Sequence, residues 1–204
     1  MIKFINIHLS FSEKKIFNNF NLNIPAGKVI GLSGQSGIGK SSLLNLVMGF
    51  IKPDEGTVLV MEKKINKKNL KAVRSKIAWL PQNFIFAGSG TVLDTINYPF
   101  IFEVNSQIKP SGSKIIESLE SLNLDGTILS NSFESLSGGE KQRIGLIICK
   151  LLGRQIILLD EPSSALDRET SDLAINYILS SGATILLVSH DQNWLNKCDE
   201  IVEM

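Results

Sequence analysis

Residues 34–41 read GQSGIGKS and combine three glycines with a lysine and a serine. These residue types at this spacing can hold phosphate. Gly34, Gly37 and Gly39 let a backbone wrap closely around an anion, because no Cβ stands in the way. The loop N–H groups and a following helix N-terminus then point at the phosphates, with Gln35, Ser36, Ile38 and Ser42 contributing backbone to the same wrap. Lys40 supplies a point charge for the β- and γ-phosphates, and Ser41 supplies a hydroxyl for Mg²⁺.

Two further stretches carry chemistry. Residues 156–161, IILLDE, form an apolar run that stops abruptly in two carboxylates. Asp160 is placed to hold Mg²⁺ through water, and Glu161 to orient an attacking water or take its proton. His190 follows the apolar run 186–189, and a neutral imidazole there can hydrogen-bond a γ-phosphate oxygen and the water together. A lone histidine is more often structural, and His8 is read that way; the position of His190 after a core strand reverses the balance. Gln82 also follows a short apolar strand, and its amide can touch Mg²⁺ and the water. Residues 136–140, LSGGE, open a helix with Ser137 as N-cap and Glu140 at the third helical position. Gly138 and Gly139 leave the first amides uncovered, which points to a second anion site beyond a plain capping box. A helical insertion cannot bring that site to its own phosphate loop, so a symmetric head-to-tail dimer is expected, with Ser137 and Gly139 facing the partner's nucleotide.

The elements that must position these residues are legible from periodicity. Alternation predicts strands over 2–9 and 20–24, with a turn at Pro25-Ala26-Gly27 leading into the strand at 29–32. A helix should run from the phosphate loop to Gly49, followed by a strand at 57–61, a short helix in 67–76 and a strand at 77–80. From 83 to 135 strand signals fade, small and aromatic residues cluster at 84–102, and an amphipathic helix covers 112–122. A helix from 136 to 152 precedes dense apolar runs at 156–159 and 183–188, joined by a helix over 167–179. Strand, crossover helix and strand imply a parallel sheet covered on both faces. The expected fold is α/β, a phosphate-loop NTPase core (1–82 and 153–204) with a small antiparallel β subdomain and an inserted α-helical subdomain (83–152).

Composition narrows the partners. In 204 residues the formal charge is +1, with 43% hydrophobic and 20% charged residues. That balance gives no electrostatic reason to expect nucleic acid. The lysines of 63–76 read as a solvated surface. Cys149 and Cys198 lack metal-ligand spacing and fit a reduced compartment. No signal-peptide pattern opens the chain and the longest apolar stretch, 144–152, is too short to span a bilayer. Work at a membrane would need spans from another polypeptide.

Taken together, the motifs resemble those of the ATP-binding cassette (ABC) ATPases. GQSGIGKS looks like the Walker A motif, Gln82 the Q-loop, LSGGEKQR the signature, IILLDE Walker B, SALD (164–167) the D-loop and SHD (189–191) the His switch. The resemblance covers nearly the whole chain and implies a RecA-like core and Mg²⁺-dependent ATP hydrolysis in a nucleotide sandwich homodimer. It further implies Ser41, Asp160 and Gln82 at Mg²⁺, Glu161 as catalytic base, Asp167 at the nucleotide interface, and Phe11 as the adenine-stacking aromatic. Residues near 83–102 would receive an integral-membrane permease, with the chain peripheral on the cytoplasmic face of the cell membrane. The stretch 91–103 and the brevity of the chain resemble small cassette subunits of iron-export type. A soluble ABC-type ATPase acting on ribosomes or DNA is the alternative; such members carry paired cassettes or long coiled coils, neither of which is present. A small-molecule kinase would explain the phosphate loop but leave LSGGE and SHD without a role.

Overall fold

The computed structural model describes residues 1–12, 14–84 and 90–204. Its strands are β1 (Ile2–Phe11), β2 (Lys14–Ile24), β3 (Val29–Ser33), β4 (Glu55–Val60), β5 (Lys63–Lys64), β6 (Ile77–Leu80), β7 (Ile156–Asp160), β8 (Thr184–Val188) and β9 (Glu200–Glu203). The α-helices are α1 (Lys40–Met48), α2 (Leu70–Arg74), α3 (Val92–Asn97), α4 (Glu103–Ser106), α5 (Gly112–Glu120), α6 (Gly138–Leu151), α7 (Arg168–Leu179) and α8 (Gln192–Leu195). Two sheets form: an antiparallel one ordered β2-β1-β4-β5 and a parallel one ordered β6-β7-β8-β3-β9.

The apolar runs are continuous because both faces of the parallel sheet are covered. Successive side chains point to opposite faces. Ile156, Leu158, Leu186, Val188, Ile30 and Leu32 therefore enter one core with α1 and the antiparallel sheet. Ile157, Leu159, Ile185 and Leu187 enter a second core built with α6 and α7. Between β6 and β7 the described residues form helices and turns, with one isolated bridge between Thr91 and Ser132. Helix α6 belongs to this stretch by sequence, yet its Ile144, Leu146, Ile147 and Ile148 are part of the second core. The contact is close: a Cβ on Gly145 would lie 2.4 Å from Leu80 Cδ1.

Several elements depart from the sequence expectation. The second strand begins at Lys14 rather than 20 and pairs along nearly all of β1, making a long hairpin. Strand β9 was not anticipated; its edge position beside β3 needs only a short polar-flanked run. The stretch 123–134, expected as a polar connection, contains two 3₁₀ turns at Gly126–Ser130 and Phe133–Ser135. Short helices α3, α4 and α8 were also not anticipated. At four to six residues each they carry no readable period. No helix among the described residues is long and apolar enough to cross a membrane.

Candidate nucleotide site

Strands β3, β7 and β8 are neighbours and parallel, so their carboxyl ends open on one side of the sheet. The phosphate loop leaves β3 there, Asp160 ends β7, and His190 follows β8. A cleft of about 580 Å³ results, lined by Phe11, Ile16, Ser36, Gly37, Gly39, Lys40, Ser41, Ser42, Gln82, Asp160, Glu161, Ser164, Val188 and His190. Carboxyl strand ends are where sheets of this kind take ligands.

The loop is built for close approach. Gly39 N-caps α1 at φ 114, in the left-handed region, with no side chain to cap the helix. A Cβ at this position would fall 2.4 Å from Ile16 Cγ2 and 2.9 Å from the Phe17 ring. No acidic side chain occupies the first turn of α1, so its free amides and dipole favour an anion. Lys40 is buried, and its ammonium donates to the Gly34 and Gln35 carbonyls at 2.8 and 2.9 Å. Lys14 donates to the Gly37 carbonyl at 3.1 Å, tying the hairpin to the loop.

Ser41 donates to Asp160 at 3.0 Å, joining hydroxyl and carboxylate as a pair of hard oxygen donors. Such donors suit Mg²⁺, and no group of three or more His, Cys, Asp or Glu able to hold a metal alone occurs among the described residues. A Mg²⁺ at this pair would take its other ligands from phosphate oxygens and water. Desolvation raises the pKa of Asp160, opposed by the Ser41 hydroxyl and the Lys40 charge. Glu161 is also raised, first by desolvation and further by the neighbouring Asp160, against the opposing pull of His190 and Lys40. A raised carboxylate is a better proton acceptor near neutrality.

The backbone at Glu161 is in the left-handed region, φ 50, which an ordinary side chain adopts at a cost. Glu161 Oε1 lies 3.5 Å from His190 Nε2, and Oε2 accepts the His190 N–H at 3.3 Å. The two residues are thus a coupled unit at the mouth of the cleft.

Other expected residues lie elsewhere. Ser137, Gly138, Gly139, Glu140 and Asp167 do not line the cleft. Ser137 and Glu140 form a complete capping box: Glu140 N–H donates to Ser137 Oγ at 3.3 Å, and Ser137 N–H to Glu140 Oε2 at 2.8 Å. The capping bonds lower the Glu140 pKa. Asp167 caps α7, accepting from Thr170 N–H at 2.8 Å. Beside the ligand role expected of them, the two glycines have an intramolecular reason. A Cβ on Gly139 would sit 2.7 Å from the Ala165 carbonyl oxygen, and one on Gly138 3.3 Å from Ala165 Cβ. They let the start of α6 pack against the turn after β7.

Sequence reasoning missed Ile16, Ser164 and Val188 in the cleft. The alternation of β2 places Ile16 beside Phe11, and Ser164 lies three residues beyond Glu161. Phe11 is 47% exposed at the end of β1, on the cleft wall. A half-exposed aromatic there has a face to offer to a nucleobase. Phe11→Ala should raise the ATP dissociation constant about two- to tenfold, because stacking adds ~0.5–1.5 kcal/mol beyond buried area. Titration with a fluorescent ATP analogue measures this; an unchanged constant in a folded Phe11→Ala protein removes Phe11 from the site.

Comparison with known proteins agrees with this geometry. The family model for "ABC transporter" matches residues 17–164. The chain is 29% identical over its whole length to the probable iron export ATP-binding protein FetA of Escherichia coli, covering 91% of it. It is 35% identical to the methionine import ATP-binding protein MetN of Clostridium acetobutylicum, aligning 93% of its own length with 61% of MetN. It is 33% identical to a putative export ATP-binding/permease protein of Rickettsia typhi, of which it spans 36%. Among solved structures, the dimeric bacterial ABC transporter cassette MJ0796 superposes with a TM-score of 0.86 at 29% identity, covering all of this chain and 94% of that one. A post-hydrolysis state of the same cassette, bound to ADP and Pi, superposes with a TM-score of 0.87 at 28% identity. The chain belongs to the ABC transporter family and is one of its ATP-binding, ATP-hydrolysing cassettes.

Proposed function

We propose that the chain is the ATPase subunit of a transporter whose membrane-spanning permease is a separate polypeptide. It forms a single cassette domain, with the helices of 83–152 inserted into the core made by 1–82 and 153–204. The observation that carries the reading is the division of the motif residues. Lys40, Ser41, Gln82, Asp160, Glu161 and His190 line one cleft, whereas Ser137 stands exposed outside it. A site in two separated halves is completed when two copies meet head to tail.

In this reading the phosphate loop and Lys40 bind the β- and γ-phosphates, and Phe11 stacks on adenine. Ser41 and Asp160, with Gln82, hold Mg²⁺, which neutralises charge developing on the phosphates. Glu161 accepts the proton of the attacking water, and His190 holds that water and the γ-phosphate in register. Ser137 to Glu140 and Asp167 of one copy close over the other copy's nucleotide. Mg²⁺-dependent release of phosphate from ATP, lost on chelation with EDTA, is the direct assay. A folded chain with no such release sinks the reading.

The permease-facing surface is proposed within 83–102 and just beyond it. Ile85, Phe86, Ala87, Gly88 and Ser89 of this stretch lie outside the described residues. Of the others, Phe84 packs edge-on against Phe133 at 5.6 Å and Phe100 is buried. Leu93, Tyr98, Ile101, Phe102, Val104 and Ile108 are exposed large apolar side chains. Clustered exposed apolar residues mark interaction surfaces. A permease docked on this surface would place the chain on the cytoplasmic face of a membrane. Asp94, exposed and chargeable, is unsuited to probe it: its carboxylate completes a capping box on α3, accepting from Thr91 N–H and Oγ1 at 2.9 and 2.7 Å. Ile101 and Val104, 68% and 60% exposed, have no such duty. Ile101→Lys with Val104→Lys should eliminate the integral membrane protein that co-purifies with tagged chain from solubilised membranes, and leave solution ATPase activity unchanged. An undiminished membrane partner would place the docking surface elsewhere.

A further inference from the structure

Gln142 lies on α6, in the second turn after the Ser137 cap, and is only 6% exposed. A buried amide must satisfy its donors and acceptor inside the protein. Gln142 does so on the turn that follows β7. Its Nε2 donates to the Glu161 carbonyl oxygen at 2.9 Å, and its Oε1 faces Ser164 Oγ at 3.5 Å. Ser164 N–H donates to the same Glu161 carbonyl at 3.2 Å. The one side chain therefore spans both ends of the turn from Glu161 to Ser164, and both of these residues line the cleft.

The turn needs such support. Glu161 holds a left-handed backbone at φ 50, a conformation that persists in a non-glycine residue only where surroundings impose it. Relaxing it would swing the carboxylate away from His190 and from the mouth of the cleft. The Glu161 N–H is fixed by the Val188 carbonyl at 2.9 Å. Its carbonyl is fixed from the other side by Gln142. Packing of Gly139 against the Ala165 carbonyl holds the same helix against the same turn one stage further on.

We infer that Gln142 is a positioning residue for ATP hydrolysis: its side-chain amide, bonded to the Glu161 carbonyl and facing Ser164, fixes the strained turn that aims the Glu161 carboxylate. This rests on Glu161 being the proton acceptor. Gln142 is not among the residues lining the cleft; it acts through Glu161. Because α6 begins at Ser137, the helix that would meet the partner's nucleotide is the one that sets the geometry of its own subunit's carboxylate.

The test is a double-mutant cycle on the full chain, read by steady-state ATPase kinetics. Gln142→Met keeps volume and packing but removes donor and acceptor. It should lower kcat on the order of tenfold or more, since small misplacements of a reacting group carry costs of this size. KM for ATP should change less than about twofold, because the phosphate loop is untouched. In a Glu161→Gln background the same substitution should cause no further loss, there being no carboxylate left to aim. An unchanged kcat in Gln142→Met overturns the inference. So does a loss that recurs at full size in the Glu161→Gln background, which would mark a general structural role. If Glu161→Gln alone turns over normally, the fault lies instead with the assignment of Glu161. Gln142→Asn, which keeps the amide but withdraws it by one methylene, carries the same cycle should the methionine variant fail to fold.

Discussion

Glu161→Gln is expected to stop multiple turnover while ATP binding continues. Glutamine keeps the length and the capacity to accept from the His190 N–H, which the carboxylate now does at 3.3 Å. What it lacks is a basic oxygen. General-base steps contribute about 10²–10⁴ to rate, and a fall of that order is the predicted kcat effect. Binding should survive because the groups proposed to hold the phosphates, Lys40 and the α1 amides, do not depend on Glu161. With hydrolysis blocked, the ATP-bound dimer should accumulate and elute ahead of the monomer in size-exclusion chromatography. Near wild-type turnover by a folded Glu161→Gln protein would contradict the role given to this residue.

The second large effect is expected at Ser137. Ser137→Arg places bulk and charge at the exposed start of α6, outside the chain's own cleft. Ser137 Oγ accepts from Glu140 N–H and donates to Glu140 Oε2 at 2.8 Å. Losing this cap weakens the helix end by about 1 kcal/mol. The folded chain should tolerate that, because the body of α6 is anchored by the second core. Its own phosphate loop is unaltered, so monomeric ATP affinity should stay within about twofold of wild type. Hydrolysis should fall on the order of a hundredfold or more, as when a donor aimed at developing charge is removed. Dimer formation should fail with it. Parallel titration and sizing measure both quantities. If affinity and dimer fraction fall together, Ser137 serves its own subunit and the two-halves reading is wrong.

Much of the site was legible because its chemistry sits where short sequence patterns are strongest. GQSGIGKS and SHD each follow an apolar run and IILLDE ends one, and each run became a strand of one parallel sheet with its carboxyl end at the cleft. Motif order along the chain was readable; their convergence followed from the parallel topology. What resisted reading depended on contacts between segments distant in sequence. Beside the ligand role expected of it, Gly139 has the Ala165 carbonyl as a close neighbour, which only the packing of α6 on the turn after β7 reveals. The capping duty of Asp94 is signalled only by its three-residue spacing from Thr91, the pattern of a capping box. Nothing in the spacing around Gln142 sets it apart from another polar position in a helix; its burial and its bond to the Glu161 carbonyl come from packing. Strand β9 was invisible because four residues, two of them acidic and three exposed, carry little period of their own.

The central claim is that one copy's phosphate loop and the other copy's Ser137 close on the same ATP. The most direct measurement is thiol cross-linking between Ile38→Cys in one population and Ser137→Cys in another, with a short bismaleimide. Ile38 offers backbone to the loop, and its side chain is not among those lining the cleft. The background should carry Glu161→Gln, to hold the ATP state, and Cys198→Ser; the other free cysteine, Cys149, is buried. The account predicts cross-linked dimers from the mixed populations, dependent on ATP, and none from either population alone. Dimers that form on a sizing column yet cross-link only Ile38→Cys to Ile38→Cys would contradict it.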